Sequence, residues 1–182
     1  MSMDQDISRI LLTEAQIKER IRELGRQITR DYNAKPLHLV GVLKGSVVFM
    51  TDLMRQIDLP LTIDFLAISS YGAGTKTSGV VQLIKDLSNP VDGRDVLIVE
   101  DILDSGLTLS YITETMRTKD AASVKVCTLL NKPDRRSPTV AVQADYEGFV
   151  IPDEFVVGYG LDYNEKYRNL PFIGVLDRKV YQ

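Results

Sequence analysis

Hydrophobic residues follow two different patterns in the first third of the chain. Over residues 13–32 they return every three or four positions, which predicts an amphipathic helix. The apolar positions of this helix are Ile17, Ile21, Leu24 and Ile28. Thr13 and Gln16 have the spacing of a capping box, so we expect the helix to begin there. The continuous apolar run 37–43 predicts a buried strand, and Ser46 is a candidate cap for a second helix ending near residue 56.

Strands and helices alternate through the middle of the chain. Four further strands are predicted, over residues 61–69, 80–84, 96–99 and 124–130. A loop rich in Gly, Ser and Thr separates the first two of these strands, and a helix over 107–118 separates the last two. This alternation predicts an α/β fold with a mostly parallel, twisted sheet flanked by helices. Shorter apolar pieces at 146–151, 155–159 and 172–176 break the alternation and predict a small lobe over the sheet edge.

The composition fits one folded domain and argues against several classes of protein. Of the 182 residues, 44% are hydrophobic and 26% are charged, which is close to the globular average. The net charge is -3 with a pI of about 5.2, and no dense Lys/Arg run is present, so a nucleic-acid partner is not expected. No apolar run approaches the length of a membrane span, and residues 1–12 lack the features of a targeting peptide. We therefore expect a cytoplasmic protein with no membrane partner.

The single cysteine and the single histidine are both expected to be structural. Cys127 lies in the apolar run 124–130 and cannot form an intramolecular disulfide, which suits a reducing cytosol. His38 lies inside the apolar run 37–43. Because each residue type occurs once, a structural zinc site of the Cys/His type is excluded.

Two adjacent carboxylates follow the apolar run 96–99. If this run is a buried strand, Glu100 and Asp101 lie at its carboxyl end, where open α/β sheets bind their ligands. Carboxylates in this place suit sugar hydroxyls or a hydrated Mg²⁺, which prefers one or two carboxylates together with substrate oxygens. A ligand with a diol or a bound metal ion is therefore expected at this end of the strand.

A short polar loop then leads into the helix predicted over 107–118. Asp104, Ser105 and Gly106 precede the helix N-terminus, which attracts phosphate through free N–H groups and the helix dipole. The glycine permits a close backbone approach, and the hydroxyls of Ser105 and Thr108 can donate hydrogen bonds. From residue types alone, a solvated acidic loop followed by an ordinary helix cap stays open as the alternative. A P-loop is excluded because the Gly-Lys-Ser/Thr ending is absent.

The segment 96–108 resembles the phosphoribosyl pyrophosphate (PRPP) binding motif of type I phosphoribosyltransferases. That motif consists of an apolar run, two acidic residues and an Asp-Ser/Thr-Gly-x-Thr loop. Segment 43–46 is similar to the family's pyrophosphate loop, and 69–71 with the following Gly/Thr stretch to its mobile catalytic loop. Segments 130–133 and 152–165 are similar to the base-reading lysine and the purine-binding lobe of hypoxanthine-guanine phosphoribosyltransferases.

The resemblance implies a fold and a reaction. The fold is a single phosphoribosyltransferase domain over residues 1–182, with a core at roughly 35–145 and a hood built from the N-terminal segment and roughly 146–182. The reaction transfers the phosphoribosyl group from PRPP to hypoxanthine or guanine and yields IMP or GMP and pyrophosphate, with Mg²⁺ as cofactor. This is a step of purine salvage. The resemblance also implies a homodimer or homotetramer.

The resemblance further implies a role for each matching residue. Asp104 is the general base, or acid in reverse, at the purine N7. The residues implied for the ribose and 5′-phosphate of PRPP are Glu100, Asp101, Asp104, Ser105, Gly106, Leu107 and Thr108. Those implied for pyrophosphate are Lys44, Gly45 and Arg168, with a cis peptide before Lys44. Those implied for Mg²⁺ are Glu100, Asp101 and Asp162.

The resemblance also implies residues for the purine site and for the mobile catalytic loop. The resemblance implies that Lys132 contacts the purine O6, that Phe155 stacks on the ring, and that Val156 offers backbone groups, with Asp162 nearby. Ser70 and Tyr71 are implied to close over the transition state. One departure is Leu107, which stands where some mammalian-type members have a lysine beside the 5′-phosphate.

Two other functions stay open alongside this one. A PRPP-sensing regulator of the same fold would bind RNA or DNA, but it needs a basic face that this acidic chain does not display. Such a regulator also has less need for Asp104, Lys132 and Phe155 together. A phosphoribosyltransferase for another base is the second alternative. An assay of nucleotide formation from PRPP with each nucleobase discriminates these three functions.

Overall fold

A computed structural model describes residues 3–70 and 81–181 of the chain. Its strands are β1 (Ile7–Leu12), β2 (Leu37–Leu43), β3 (Thr62–Ser70), β4 (Val81–Lys85), β5 (Asp95–Leu103), β6 (Ser123–Asn131), β7 (Tyr146–Val150), β8 (Val156–Val157) and β9 (Ile173–Leu176). Its α-helices are α1 (Glu14–Asp31), α2 (Val47–Met54), α3 (Leu107–Thr118) and α4 (Arg178–Tyr181). Short 3-10 helices cover Met3–Asp6 and Pro133–Arg135. Within this part of the chain, every helix is too short or too polar to cross a membrane.

Six strands form the main sheet in the order β4–β3–β2–β5–β6–β7. All neighbouring pairs are parallel except β3 and β4, so the predicted α/β fold with a mostly parallel sheet is confirmed. Strand β7, which the sequence assigned to the hood, instead pairs in parallel with β6 and belongs to the main sheet. The physical reason is the intervening segment 132–145, which is long enough to return the chain for parallel pairing.

Helices cover both faces of the main sheet because successive strand residues point to opposite sides. One face contributes the fully buried Leu39, Leu97 and Leu129, which cluster with the predicted apolar positions of α1. The other face contributes Val40, Ile98 and Val126, which cluster with the buried residues of α3. Burial of each such side chain stabilises the fold by about 1.5–3 kcal/mol. Together these clusters make the sheet a rigid support for the loops at its edge.

The helix starts follow the sequence at α1 but differ at α2. The capping box of α1 is confirmed: Gln16 donates its N–H to the hydroxyl of Thr13 at 3.3 Å, and Thr13 donates its N–H to the Gln16 side chain at 2.9 Å. Ser46 precedes α2 as predicted, but its hydroxyl donates to the carbonyl of Val42 at 2.7 Å and makes no cap. Its helical backbone (ψ -10°, against 156° at the capping Thr13) is the cause, since a capping side chain needs an extended backbone.

The N-terminal segment and the tail form a second, smaller sheet. Its three antiparallel strands follow the order β1–β9–β8. A separate cluster of buried residues, Val157, Tyr167, Leu170 and Leu176, lies beneath it. This three-stranded sheet and its cluster are called the hood below.

His38 and Cys127 are buried in the main sheet, in agreement with their predicted structural roles. Nδ1 of His38 shares a hydrogen bond of 2.7 Å with the hydroxyl of Thr62. Burial raises the pKa of the Cys127 thiol, so this side chain stays in its unreactive neutral form.

Candidate active site

Strands β2 and β5 lie side by side at the point where the order of the sheet reverses. After β2 the chain continues to β3 on one side, and after β5 it continues to β6 on the other. Pairing between β2 and β5 ends with Gly41 opposite Val99, whereas β5 stays paired with β6 as far as Leu103 opposite Asn131. Ligands of open α/β sheets bind beyond the carboxyl ends of strands at such a point. The crevice between the ends of β2 and β5 is therefore the candidate active site.

The predicted end of the strand at Val99 is wrong, because β5 continues to Leu103. Pairing with β6 carries the strand across Glu100 and Asp101, and two adjacent carboxylates give no local signal that a strand continues through them. Glu100 and Asp101 consequently lie inside the strand, beyond the last residue paired with β2. A strand fixes these carboxylates more firmly than the solvated loop that stayed open as the alternative would.

A cavity of about 230 Å³ occupies the crevice. Its lining residues are Val42, Leu43, Lys44, Gly45, Ile68, Glu100, Asp101, Thr108, Asp162 and Arg168. It thus brings together residues that the sequence assigned separately to pyrophosphate, ribose and Mg²⁺. A larger cavity of about 550 Å³ is lined partly by α1 and α2, but Arg168 is the one predicted site residue in its lining. The smaller cavity is therefore the candidate site.

Gly45 lies directly against the carboxylate of Asp101. A Cβ added at Gly45 would stand 1.6 Å from Oδ2 of Asp101, so a side chain there would collide with the carboxylate. Gly160 follows on the other side, because a Cβ at Gly160 would stand 2.1 Å from the carbonyl oxygen of Gly45. The peptide between Leu43 and Lys44 is cis, as the resemblance implies. The backbone after β2 is thus packed between a carboxylate of β5 and the turn at Gly160.

Burial raises the pKa of both adjacent carboxyl groups. The pKa of Glu100 lies well above its usual range, first because of desolvation and then because of the neighbouring charge of Asp101. Desolvation likewise raises the pKa of Asp101 to about 6, although the charge of Arg168 and backbone hydrogen bonds oppose this rise. The charge of Asp162 adds a smaller increase. A cation placed between these groups would relieve the penalty, so the pair has the electrostatics of a divalent cation site.

Arg168 is the centre of a charged network at the mouth of the cavity. One nitrogen of its guanidinium lies 2.8 Å from Oδ1 of Asp162, and another donates to the carbonyl of Gly160 at 2.8 Å. The N–H of Glu165 donates to the other oxygen of Asp162, and the carboxylate of Glu165 pairs with the exposed Lys44 at 2.9 Å. The predicted pyrophosphate residues Lys44 and Arg168 are therefore connected through Glu165, a residue that the sequence did not single out.

The phosphate loop, residues 104–108, leads into α3. Gly106 has a left-handed backbone (φ +83°), the conformation that glycine adopts without strain. Its surroundings are closed on one side, since a Cβ there would lie 3.0–3.2 Å from Val142, Val140 and Arg136. The N–H of Leu107 lies 3.4 Å from the hydroxyl of Ser105. The helix starts at Leu107 as predicted, so its first amides and positive dipole end adjoin the loop.

Asp104 combines a buried oxygen with an accessible carboxylate. Its Oδ1 is buried and has no hydrogen-bond partner among the described residues, while the side chain as a whole is 42% exposed. Nε of Arg135 lies 3.5 Å from the same oxygen, at ion-pair distance. The exposed part of the carboxylate can meet a bound ligand and accept a proton from it, which is what a general base requires.

Lys132 and Phe155 lie on consecutive segments beyond β6 and β7. Lys132 is 8% exposed, and its ammonium donates to the carbonyl of Glu154 at 2.6 Å. Desolvation lowers its pKa, and the nearby charge of Asp104 opposes this. Phe155 is exposed, and its ring stacks on that of Tyr181 with centroids 4.9 Å apart. Val156 is buried and starts β8.

The predicted mobile loop and the predicted Mg²⁺ ligands remain to be located in the structure. Ser70 ends β3, where it pairs with Val81, but Tyr71 and the rest of the predicted mobile loop lie outside the described residues. Over the described residues, no three His, Cys, Asp or Glu side chains form a cluster that could hold a metal ion by themselves. The predicted Mg²⁺ ligands therefore number fewer than a complete protein cage, which is usual for Mg²⁺ bound together with substrate phosphates.

Comparison with known proteins agrees with this geometry. Residues 9–164 match the phosphoribosyl transferase domain family. The chain is 56% identical over 180 residues to the bifunctional protein TilS/HprT of Listeria innocua, and spans 28% of that protein's length. It is 52% identical to the hypoxanthine-guanine phosphoribosyltransferase of Staphylococcus aureus, with 98% of this chain and 99% of that protein covered.

A solved structure extends the likeness to three dimensions. The crystal structure of a hypoxanthine phosphoribosyltransferase from Staphylococcus aureus superposes with a TM-score of 0.95 at 52% identity. The superposition covers 99% of this chain and 97% of the other. The chain belongs to the phosphoribosyl transferase domain family and, within it, to the hypoxanthine-guanine phosphoribosyltransferases.

Proposed function

We propose that this chain transfers the 5-phosphoribosyl group from PRPP to hypoxanthine or guanine, giving IMP or GMP and pyrophosphate in purine salvage. One observation carries the proposal: the N–H of Lys132 donates to the carbonyl of Leu103 at 2.9 Å, beside Asp104. Lys132, as the donor to a purine oxygen, and Asp104, as the acceptor of a purine proton, would thus act from the ends of the adjacent strands β6 and β5. Asp104 begins the phosphate loop and Lys132 adjoins it, which supports a reaction that joins a purine to a ribose phosphate.

The phosphate loop supports binding of the 5′-phosphate. The amides at the start of α3, the positive end of its dipole and the hydroxyls of Ser105 and Thr108 suit this anion. Glu100 and Asp101 would then accept hydrogen bonds from the ribose hydroxyls. This places C1 of the ribose towards the cavity between β2 and β5, where the pyrophosphate would lie.

Lys44, Gly45 and Arg168 would bind the pyrophosphate as it leaves. The close contact between Gly45 and Asp101 brings the backbone after β2 and a carboxylate of β5 to the same point. The donor set fits Mg²⁺, because burial disfavours the charges of Glu100 and Asp101 and a divalent cation would compensate them, with Asp162 nearby. When bound, Mg²⁺ supplies a template and neutralises charge on the pyrophosphate oxygens.

The purine would lie between Phe155 and the phosphate loop. Lys132 would donate to O6, the backbone of Val156 would contact the base edge, and Phe155 would stack on the ring. N9 of the purine forms a bond to C1 of the ribose, and pyrophosphate leaves with the electron pair of the broken bond. Asp104 accepts the proton that N7 loses, and positioning and electrostatic stabilisation supply most of the catalysis.

An assay of the purified chain tests the proposal. The chain is incubated with PRPP, Mg²⁺ and each of hypoxanthine, guanine, xanthine, adenine and a pyrimidine base, and nucleotide formation is followed by chromatography. IMP and GMP are expected, together with pyrophosphate. Excess chelator should nearly abolish turnover, and full turnover in chelator would contradict the Mg²⁺ assignment. If none of these bases is converted to a nucleotide and the chain binds RNA or DNA tightly, the regulator is favoured and the proposal is overturned.

A cytoplasmic location belongs to the same proposal. The single cysteine supports it, because Cys127 is buried and unpaired, as is usual in a reducing compartment. The expected homodimer or homotetramer stays a prediction, which the mass of the native protein measured by light scattering tests.

A further inference from the structure

Arg136 contacts both halves of the site without being one of the residues implied for either substrate. One guanidinium nitrogen donates to the main-chain carbonyl of Asp104 at 3.1 Å. The other donates to the side-chain oxygen of Asn131 at 2.5 Å. Asn131 ends β6 immediately before Lys132, and Asp104 begins the phosphate loop. A single planar side chain therefore spans the two loops that approach the purine from different strands.

Arg136 is the middle of three contacts that join these loops in register. The N–H of Lys132 donates to the carbonyl of Leu103, and the N–H of Ser137 donates to the carbonyl of Ser105. Arg136 adds the bond to the intervening carbonyl of Asp104. The outer two bonds join main chain to main chain, whereas the middle one comes from a side chain. A substitution can therefore remove the middle bond and leave the outer two in place.

The environment favours a fixed guanidinium. Arg136 is partly buried, and the side chain of Asn131 that receives its hydrogen bond donates in turn to Glu147 of β7. Nη1 of Arg136 also lies 3.2 Å from the position that a Cβ would take at Gly106. Its two acceptors are neutral oxygens, and hydrogen bonds from a charged donor are stronger than those between neutral groups. The two-pronged geometry of arginine matches two acceptors on separate loops, which a lysine cannot reproduce.

We infer that Arg136 is a positioning residue that fixes the phosphate loop against the Lys132 segment, so that Asp104 and Lys132 act on one purine at a constant separation. This inference rests on the proposed function for its catalytic consequence. The clamp itself is a property of the free protein. Without the side chain of Arg136 the phosphate loop should open more often, because only the two main-chain bonds and the ion pair between Arg135 and Asp104 then hold it to the Lys132 segment.

Hydrogen–deuterium exchange of the ligand-free protein tests the clamp without any assay of activity. In Arg136→Met, the amides of Lys132 and Ser137, which donate to the carbonyls of Leu103 and Ser105, should exchange at least about tenfold faster than in the parent. Arg117→Met is the matched control, because it removes an exposed arginine at the far end of α3, where the side chain pairs with Glu114. In this control the same two amides should exchange as in the parent. Equal protection of these two amides in Arg136→Met and the parent would overturn the clamp.

Steady-state kinetics tests the catalytic consequence. With Arg136→Met, we expect kcat to fall by about 10–10²-fold and the KM values for PRPP and hypoxanthine both to rise, since a small misplacement of reacting groups costs this much. Arg136→Lys keeps the charge but loses the fork, so it should recover kcat only partly. If Arg136→Met is poorly folded, Arg136→Lys provides the same readouts. A rise in the KM for PRPP alone would make Arg136 a simple phosphate contact and overturn the inference.

A double-mutant cycle separates a clamp from independent effects. Asn131→Ala removes the acceptor at one end of the clamp, so its effect on kcat/KM should largely disappear when Arg136 is already methionine. Arg117→Met combined with Asn131→Ala should instead be additive. Additive losses for Asn131→Ala and Arg136→Met would contradict the clamp. Turnover by the parent tests the proposed function. The ratios of kcat/KM between variants and the exchange data test the clamp, so the proposed function and the clamp can fail separately.

Discussion

The backbone of Gly45 and the carboxylate of Asp101 are in direct contact, although the two residues lie far apart in the sequence. A Cβ at Gly45 would stand 1.6 Å from Oδ2 of Asp101 and 2.6 Å from its Cγ. The contact joins the loop after β2 to the inside of β5, at the point where pairing between the two strands has ended. The absence of a side chain at Gly45 therefore leaves the space that the carboxylate of Asp101 occupies.

We expect Gly45→Ala to reduce kcat/KM for PRPP by at least about 10²-fold, because the methyl group must displace the carboxylate or the loop. Gly93→Ala is the control. Gly93 has φ +69° and no neighbouring atom within 4 Å of an added Cβ, so alanine there costs stability through backbone strain of about 1–2 kcal/mol. Its kcat/KM should be unchanged. Steady-state kinetics and thermal unfolding of both variants measure the contrast, and an active Gly45→Ala would refute the contact's role.

Asp101→Asn should stabilise the ligand-free protein at neutral pH. Burial raises the pKa of Asp101 from 3.8 to about 6 in the folded protein. Between these values the unfolded chain has already lost the proton that the folded protein keeps, so stability falls as the pH rises, and the full penalty is present above about pH 6. Asparagine carries no charge and escapes the penalty. The Tm difference between variant and parent should therefore be larger at pH 7.5 than at pH 5.

Asp86→Asn provides a control of opposite sign for this pH dependence. The ammonium of Lys119 donates a hydrogen bond to Asp86 at 2.6 Å and is the largest cause of the lowered pKa of this carboxyl group, so the ionised form stabilises the fold. Asp86→Asn should therefore lower the Tm at pH 7.5 and have less effect as the pH falls towards the lowered pKa. Thermal unfolding without Mg²⁺ or substrate, followed by circular dichroism, measures both variants. The same sign of effect in both would show that burial does not control Asp101.

Asp104→Asn should lower kcat by roughly 10²–10⁴-fold, the usual contribution of a general acid–base group. The amide keeps the shape of the side chain but cannot accept the proton, so the KM for PRPP should change little. Asp153→Asn is the matched control, because Asp153 shares Arg135 with Asp104, at 3.8 Å, but lies outside the phosphate loop. Its kcat should stay within about threefold of the parent. Comparable values of kcat for the two variants would remove Asp104 from the role of base.

The sequence predicted elements whose signals are local. The bounds of β2 and α3 and the capping box of Thr13 follow from periodicity and short-range hydrogen bonding. The end of β5 was missed because its extension to Leu103 depends on pairing with β6, which no local pattern records. The assignment of β7 failed for the same reason, since a short apolar strand carries no information about which sheet it joins.

The sequence likewise predicted those parts of the candidate site whose signals are local, and missed those that depend on contacts in the fold. Residue types suggested a phosphate loop and two carboxylates, and the resemblance to a family supplied the remaining roles. Neither indicated the contact between Gly45 and Asp101 or the clamp formed by Arg136. A pair of arginines after a Lys-Pro-Asp turn is typical of a solvated loop, and only the distances in the fold distinguish Arg136 from its exposed neighbour Arg135.

Lys132 should determine which purines are accepted. Its ammonium can only donate hydrogen bonds. The residue is 8% exposed, and the ammonium already donates one hydrogen bond to the carbonyl of Glu154. A 6-oxopurine offers an acceptor to the remaining hydrogens, whereas adenine presents an amino group, which is a second donor. An unsatisfied buried polar group costs about 1–3 kcal/mol, and more when it is charged. Stacking on Phe155 cannot discriminate, since every purine has a π-face.

We therefore expect kcat/KM for hypoxanthine and guanine to exceed that for adenine by at least about two orders of magnitude. In Lys132→Gln, whose amide both donates and accepts, the gap should narrow, because the amide can turn its oxygen towards the amino group of adenine. Lys125→Gln is the matched control. Lys125 lies near the start of β6, at the opposite end of the strand from Lys132, where its ammonium approaches the rings of Tyr32 and Tyr146. Its substitution should leave the difference in kcat/KM between the bases unchanged. The measurement is kcat/KM for the three bases in the parent and in both variants. Comparable use of adenine by the parent would overturn the substrate assignment, and an unchanged gap in Lys132→Gln would assign base selection to other residues.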